Sequence, residues 1–202
     1  MAEVVVSAAE PAGRVPGGAS VPGHTEWSDG VLVAPMKRRH LRAVASIEAA
    51  SNGHPWSRSL FEGELRMPTS RHWLIARDHR EVVGFAGLMW TLDEGHITNF
   101  AVHPARRREH IATRLLLAQC RDAVDLGVTS LTLEVRVSNS AARSLYSGFG
   151  FAPGGIRRGY YNDNGEDALI MWLHDIGGEE SSQRRARIEA ALPVGVVATP
   201  GP

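Results

Sequence analysis

The sequence predicts a mixed α/β (α+β) domain, a mostly antiparallel central sheet with helices on both faces. Two observations carry that expectation. The stretches "HWLIAR" and "VVGFAGLMW" read as strands joined by the turn Asp78-His79-Arg80-Glu81, the pattern of a hairpin. After a further strand, the chain alternates helix, strand, helix and strand, which calls for crossovers and for helices packed on a sheet. The length of 202 residues suits one domain with a substantial core.

The elements follow in order. Val31 to Ala34 is a short strand. From Lys37 to Ala50, Leu41, Val44 and Ile47 recur at helical spacing and "SNG" ends the run. A second short helix spans Ser57 to Leu65, with Leu60, Phe61 and Leu65 inward. After the hairpin, "TLDEG" turns the chain into a strand from His96 to Val102. A helix runs from about Ile111 to Leu126 and stops at Gly127. "SLTLEVRV" is a strand, "SNSAARSLYSGFG" a helix capped by Asn139, and "DALIMWLH" a closing strand. Residues 1–30 are rich in Gly, Pro, Ala and Ser and show no period, so they read as a flexible tail. Residues 176–202 read as a second tail, although "SSQRRARIEAAL" suits one or two helical turns. The folded domain is then expected over residues 31–175.

Composition narrows the function. Lys+Arg and Asp+Glu balance at 22 each, so no global field draws the chain to nucleic acid or to an anionic membrane. No apolar run approaches the ~18 residues of a membrane span. One cysteine, Cys120, excludes an internal disulfide and fits a reducing compartment, and with no secretion signal the expectation is cytoplasmic. Cys120 falls among Leu116, Ala123 and Val124 on a helix, a core position. The nine histidines are scattered without metal-ligand spacing, so no metal site is expected.

The charge is local. In "VHPARRREHIATRLL", residues 102–116, Arg106, Arg107, Arg108 and Arg114 crowd the point where a strand gives way to a helix. The first N–H groups of a helix lack partners and carry the positive end of its dipole, a ready anion site. Basic residues there oppose the dipole, which favours a phosphate-bearing ligand over a merely solvated helix start. The stretch is neither a P-loop nor a dinucleotide fingerprint.

In "LTLEVRVSN", residues 131–139, Leu131, Leu133, Val135 and Val137 share one face, and Thr132, Glu134 and Arg136 the other. A carboxylate in the middle of an interior strand needs a reason, either chemistry or an arginine partner.

Arg107-Arg108-Glu109-His110-Ile111-Ala112 resembles the Gln/Arg-x-x-Gly-x-Gly/Ala signature of the GNAT superfamily of acetyl-CoA-dependent N-acetyltransferases. His110 stands where that signature has its first glycine; turned away it leaves the amides free, and turned inward its imidazole could meet a phosphate. "LEVRVSNSAARSLYSGFGFAPGGIRRGYY", "HPWSRSLF", "LDEGHITNFAVHP" and "RRGYYNDNGEDALIMWL" resemble, in order, stretches of the RimI branch, which acetylates the N-terminal alanine of a small-subunit ribosomal protein. The resemblance covers about Val31 to His174.

It implies the GNAT fold, with a splayed parallel strand pair, and acetyl-CoA as co-substrate without a metal. It implies an acceptor peptide or protein N-terminus, with neither nucleic acid nor membrane as direct partner. Glu134 would be the general base and Tyr146 the general acid. Arg107, Arg108, Glu109, His110, Ile111, Ala112 and Thr113 would hold the pyrophosphate, while Phe100, Ala101, Val102 and Asn139 would meet the pantetheine arm. Trp56, Tyr160 and Tyr161 would lie along the acceptor.

The chemistry is self-consistent. An α-amine with pKa near 8 is ~10% neutral at pH 7, against ~0.04% for a lysine, so modest base assistance suffices. Burial of Glu134 would raise its pKa toward the useful range, and a strand N–H could meet the developing oxyanion. Two further readings stand beside this one: acetylation of a small-molecule amine or of internal lysines, and a coenzyme A sensor without turnover, for which His110 is the argument.

Overall fold

The computed structural model describes residues 30–193 together with the backbone of Thr25–Glu26. The strands are β1 (Thr25–Glu26), β2 (Val31–Pro35), β3 (Arg71–Asp78), β4 (Glu81–Thr91), β5 (Glu94–Val102), β6 (Ser130–Arg136), β7 (Ala152–Tyr161) and β8 (Glu166–Leu173). The helices are α1 (Leu41–Ser51), α2 (Arg58–Glu64), α3 (Ile111–Asp125), α4 (Ser140–Phe149) and α5 (Glu179–Ala190). One sheet takes the order β1-β2-β3-β4-β5-β6-β8-β7. Among these pairs only β5 and β6 run parallel.

Alternation along the strands sorts the core onto two faces. Leu74 and Ala76 of β3 join Leu88, Ile97, Leu131, Leu133 and Val135 against Ile111, Leu115 and Cys120 of α3. Trp73 and Ile75 turn the other way, to Leu41, Val44 and Ile47 of α1 and Phe61 of α2. An edge-on aromatic cluster fills that second layer, with Phe61 5.4 Å from Trp73 and 5.6 Å from Phe85.

Local chemistry sets the element ends. Ser57 caps α2 by accepting the Leu60 N–H at 3.2 Å, and Asn139 caps α4 by accepting the Ala142 N–H at 3.1 Å. Gly150 closes α4 at φ 98°, a left-handed position that a glycine adopts without strain.

The sheet opens in its middle. β5 and β6 stay paired only over Glu94–His96 and Ser130–Thr132. Just beyond, the β4–β5 register steps from Leu88↔Ile97 to Ala86↔Phe100, so β5 carries one residue more than β4 across that step. Such a bulge bends its strand. The rest of β5 and β6 diverge, which is the splay that the resemblance implied.

Two expectations need correction. The segment from residue 176 onward is not a tail over its described part: Glu179–Ala190 forms the twelve-residue α5. Ile176 and Leu192 are buried in the α3-side core, with Ile188 packed on it. Arg185 donates to the Ile176 carbonyl at 2.6 Å, and Arg121 of α3 donates to Glu189 at 2.9 Å. The expected strand at "SLTLEVRV" ends at Arg136, leaving Val137 exposed. The tail read over residues 1–30 lies outside the described residues except at Thr25–Glu26, which pairs with β2, and at Gly30.

Candidate active site

The opening between β5 and β6 holds a cavity of about 320 Å³. Phe100 and Val102 line it from β5, Arg106 to Arg108 and His110 to Thr113 from the loop and the start of α3. Asn139, Ala142, Leu145 and Tyr146 line it from α4, and Ser51 from the end of α1.

The four arginines divide their work. Arg106 is held by Asp78 at 2.7 Å and by Glu109, and both carboxylates push its pKa further up. Arg114 is fully buried and donates to the Glu109 carbonyl at 2.9 Å, so it ties the loop to the helix rather than facing a ligand. Arg107 and Arg108 are left to line the cavity. The Glu109 side chain turns to Arg106 and is absent from the cavity wall, which corrects its expected place beside the pyrophosphate.

The start of α3 leaves its first amides without intrahelical acceptors. The Arg114 N–H is the first in α3 to reach an intrahelical acceptor, the His110 carbonyl at 3.1 Å. The preceding amides belong to Ile111, Ala112 and Thr113, all at the cavity wall. His110 takes the left-handed conformation, φ 56° and ψ 15°, that the family glycine would adopt freely, and its residue lines the cavity. Arg108 is also left-handed, at φ 69°. The loop therefore keeps the shape of a glycine turn without the glycine.

On β5, the His103 N–H donates to Val83 of β4. By antiparallel alternation the backbone groups of Ala101 face the same way, and those of Phe100 and Val102 face the opening. The Ala101 side chain packs with α1 and α2 and takes no part in the cavity wall, which corrects its expected contact.

Tyr146 has no exposed surface, and its hydroxyl lies buried without a hydrogen-bond partner among the described residues. Burial raises its pKa above the usual phenol value, so it stays protonated at neutral pH. Asn139 spends its side-chain oxygen on the α4 cap while lining the cavity.

Glu134 is buried but does not line this cavity. It lies on the other face of the sheet, the face that bears α1 and α2 over its β2–β5 half. The paired row Met89–His96–Thr132–Trp172 crosses that face, and Glu134 lies two residues beyond Thr132, opposite Ile170. Its surroundings are not purely apolar. Oε1 is 3.2 Å from Nη2 of Arg157 and Oε2 is 2.9 Å from Nε2 of His96. Arg157 of β7 is therefore the arginine partner that a buried carboxylate called for.

The expected acceptor residues separate. Trp56 is half-buried, 5.9 Å from Trp73, and its amide donates to Glu48 at 3.1 Å. Tyr160 stands near Arg157, whose guanidinium is 5.5 Å from the ring. Tyr161 is buried beneath the Arg136 guanidinium at 3.8 Å, so it supports the β7–β8 hairpin rather than facing an acceptor. Cys120 is buried and its thiol is pushed up to about 12, which agrees with a core role.

Glu48 escaped the sequence reading. Its Oε1 accepts from Asn52 at 3.0 Å, from the Trp56 amide at 3.1 Å and from Asn99 at 3.1 Å. One carboxyl thus binds the end of α1, the loop leading to α2 and the bulge of β5 that opens the sheet. Burial raises its pKa, partly offset by those donors. The signal was present: Glu48 lies seven residues after Leu41 and four after Val44, on the apolar stripe of α1.

Comparison with known proteins agrees with this geometry. The family model described as acetyltransferase (GNAT) family matches residues 41–151. A Bacillus subtilis (strain 168) protein provisionally assigned as a [ribosomal protein bS18]-alanine N-acetyltransferase is 38% identical over 138 residues, 68% of this chain and 91% of that one. The [ribosomal protein bS18]-alanine N-acetyltransferase of Escherichia coli (strain K12) is 34% identical over 146 residues, 70% of this chain and 95% of that one. The crystal structure of the Escherichia coli ribosomal-protein-S18-alanine N-acetyltransferase superposes with a TM-score of 0.67 at 32% identity, covering 74% of this chain and 97% of that one. With a family model matched over residues 41–151, and relatives matched over nearly their whole length, the chain belongs to the acetyltransferase (GNAT) family.

Proposed function

We propose that this protein transfers acetyl from acetyl-CoA to the α-amine of an N-terminal alanine, that of a ribosomal protein equivalent to bS18, in the cytoplasm. The observation that carries the acceptor is the match to two relatives named for that alanine, over 91% and 95% of their own lengths. The cavity fits the co-substrate: Arg107, Arg108 and the amides of Ile111, Ala112 and Thr113 would hold its phosphates, and Phe100, Val102 and Asn139 its pantetheine arm. Bound there, acetyl-CoA supplies an acetyl group activated as a thioester.

The chain's own residues then manage two protons. On the acceptor side Glu134 anchors the general base that takes a proton from the attacking amine. On the cavity side Tyr146, protonated and without a competing partner, donates to the departing sulfur. No covalent enzyme intermediate is needed, because an α-amine is already partly neutral near pH 7.

The test is incubation with acetyl-CoA and a panel of alanine-initiated peptides, blocked peptides bearing lysine, and polyamines, read by mass spectrometry. Acetylation confined to the free α-amine is expected; acetylation of lysine or polyamine with the α-amine untouched overturns the proposal. Glu134→Gln is expected to lower kcat by ~10²-fold with acetyl-CoA affinity preserved, and a wild-type rate would remove Glu134 from the reaction.

A further inference from the structure

His96 lies in β5, at the last pair before the sheet opens, and it pairs with Thr132 of β6. Its Nε2 is buried and 2.9 Å from Oε2 of Glu134, while 15% of the side chain stays exposed. Glu134 is only 1% exposed, with Arg157 on its other oxygen. Each carboxylate oxygen thus lies within ion-pair distance of one side chain, and a group approaching from solvent meets the more exposed imidazole before the carboxylate.

The surface around it suits a peptide end. Met89, Thr132, Ile170 and Trp172 are half-buried. These side chains form an open, largely apolar strip beyond the cover of α1 and α2. Its charged and titratable members near His96 are Glu134 from β6 and Arg157 from β7; β4 presents Met89 opposite His96, and β8 presents Ile170 opposite Glu134.

Resting on the function proposed above, we infer that His96 is a catalytic residue: its imidazole takes the proton from the acceptor amine, and Glu134, clamped by Arg157, is the positioning residue that orients it. A small turn of the ring would bring Nε2–H onto Oε2 of Glu134, 2.9 Å away, and leave the lone pair on Nδ1 for the acceptor amine. The amine nitrogen forms its bond to the acetyl carbon as the carbon–sulfur bond breaks. One N–H proton of the amine passes to Nδ1 and then to solvent, and the sulfur takes the Tyr146 proton, which solvent replaces. The arrangement follows the logic in which a buried carboxylate fixes the tautomer of a histidine base.

Two measurements test it. In nitrogen-15 spectra of the protein without substrate, the Nε2–H tautomer of His96 is expected in the wild type, with loss of that preference in Glu134→Gln; an Nδ1–H tautomer in the wild type would falsify the assignment. In kinetics with an alanine-initiated peptide, His96→Gln is expected to lower kcat by ~10²-fold, with peptide KM and acetyl-CoA Kd held, and to remove an acid-side limb of kcat/KM. A His96→Gln enzyme that keeps both the rate and that limb returns the base to Glu134 alone. Unchanged acetyl-CoA Kd and circular dichroism exclude misfolding of the variant. Should the wild type acetylate no α-amine, the function proposed above fails, while the tautomer measurement still decides whether Glu134 orients His96.

Discussion

His110 shows how a single residue can carry a family's geometry without the family's residue. A left-handed backbone costs a side-chain-bearing residue roughly 1–2 kcal/mol, against about 0.5–1 kcal/mol of extra chain entropy lost when glycine is ordered. His110→Gly, at φ 56°, is therefore expected to stabilise the fold by about 0.5–1 kcal/mol in urea unfolding. A destabilised glycine variant would mean that the imidazole makes compensating contacts in the loop. Glu48 teaches the complementary lesson. It looks like a misplaced charge on an apolar stripe, yet its one oxygen gathers three donors from three segments. A buried donor left unpaired costs about 1–3 kcal/mol, so a residue of this kind is held in place by what its removal would orphan.

At the scale of elements, α3 and the β7–β8 hairpin are stabilised by different means. The start of α3 spends two of its four arginines, Arg106 and Arg114, on holding its own loop. The hairpin depends on Arg136, which reaches Asp163 at 2.8 Å and Glu166 at 3.2 Å. Hydrogen bonds from Ser138, and then Arg136, hold the Glu166 carboxyl down at about 2, from an ordinary value of 4.5. Because the folded value is the lower one, the stabilisation is complete above pH 4.5 and is lost as pH falls toward 2. Protection of the Ser138 amide, whose N–H donates to Glu166 at 2.7 Å, is expected to fall over that window in the wild type when exchange is measured relative to the intrinsic rate at each pH. Glu166→Gln should flatten the dependence; an equally acid-sensitive variant would place the effect elsewhere.

What was legible in the sequence follows from the same physics. α3, the Asn139 cap and the strands β3 and β4 were readable because burial imposes a helical period on the first and continuous apolar runs on the strands. β7 gave no such signal: most of its residues are exposed and it carries Gly154-Gly155, so only the resemblance located the hairpin. The gathering of Arg107, Arg108 and the α3 start at one cavity wall was readable because a helix start and clustered arginines are local. The Glu134, His96 and Arg157 grouping was not, since β5, β6 and β7 bring together residues from 96 to 157.

At the scale of the whole molecule, α5 changes what counts as the domain. Its core contacts through Ile176, Ile188 and Leu192 close the layer over α3, and Arg185 and Glu189 fasten it. Burying an aliphatic side chain contributes about 1.5–3 kcal/mol. A chain ending after Asp175 is therefore expected to unfold at a melting temperature lower by 5 °C or more, on the usual ~2–8 °C per kcal/mol. Thermal melts of the two lengths check this, and matching melting temperatures would make α5 an appendage after all.

The parting of β5 from β6 has one more consequence. A sheet that zipped shut from Ile97 onward would satisfy more backbone groups and would stand firmer in the absence of any ligand. The bulge at Thr98–Asn99, fastened to Glu48, keeps the strands apart. Natural or engineered changes that tighten this seam should thus make a hardier protein and a poorer catalyst, with thermal tolerance and turnover moving in opposite directions.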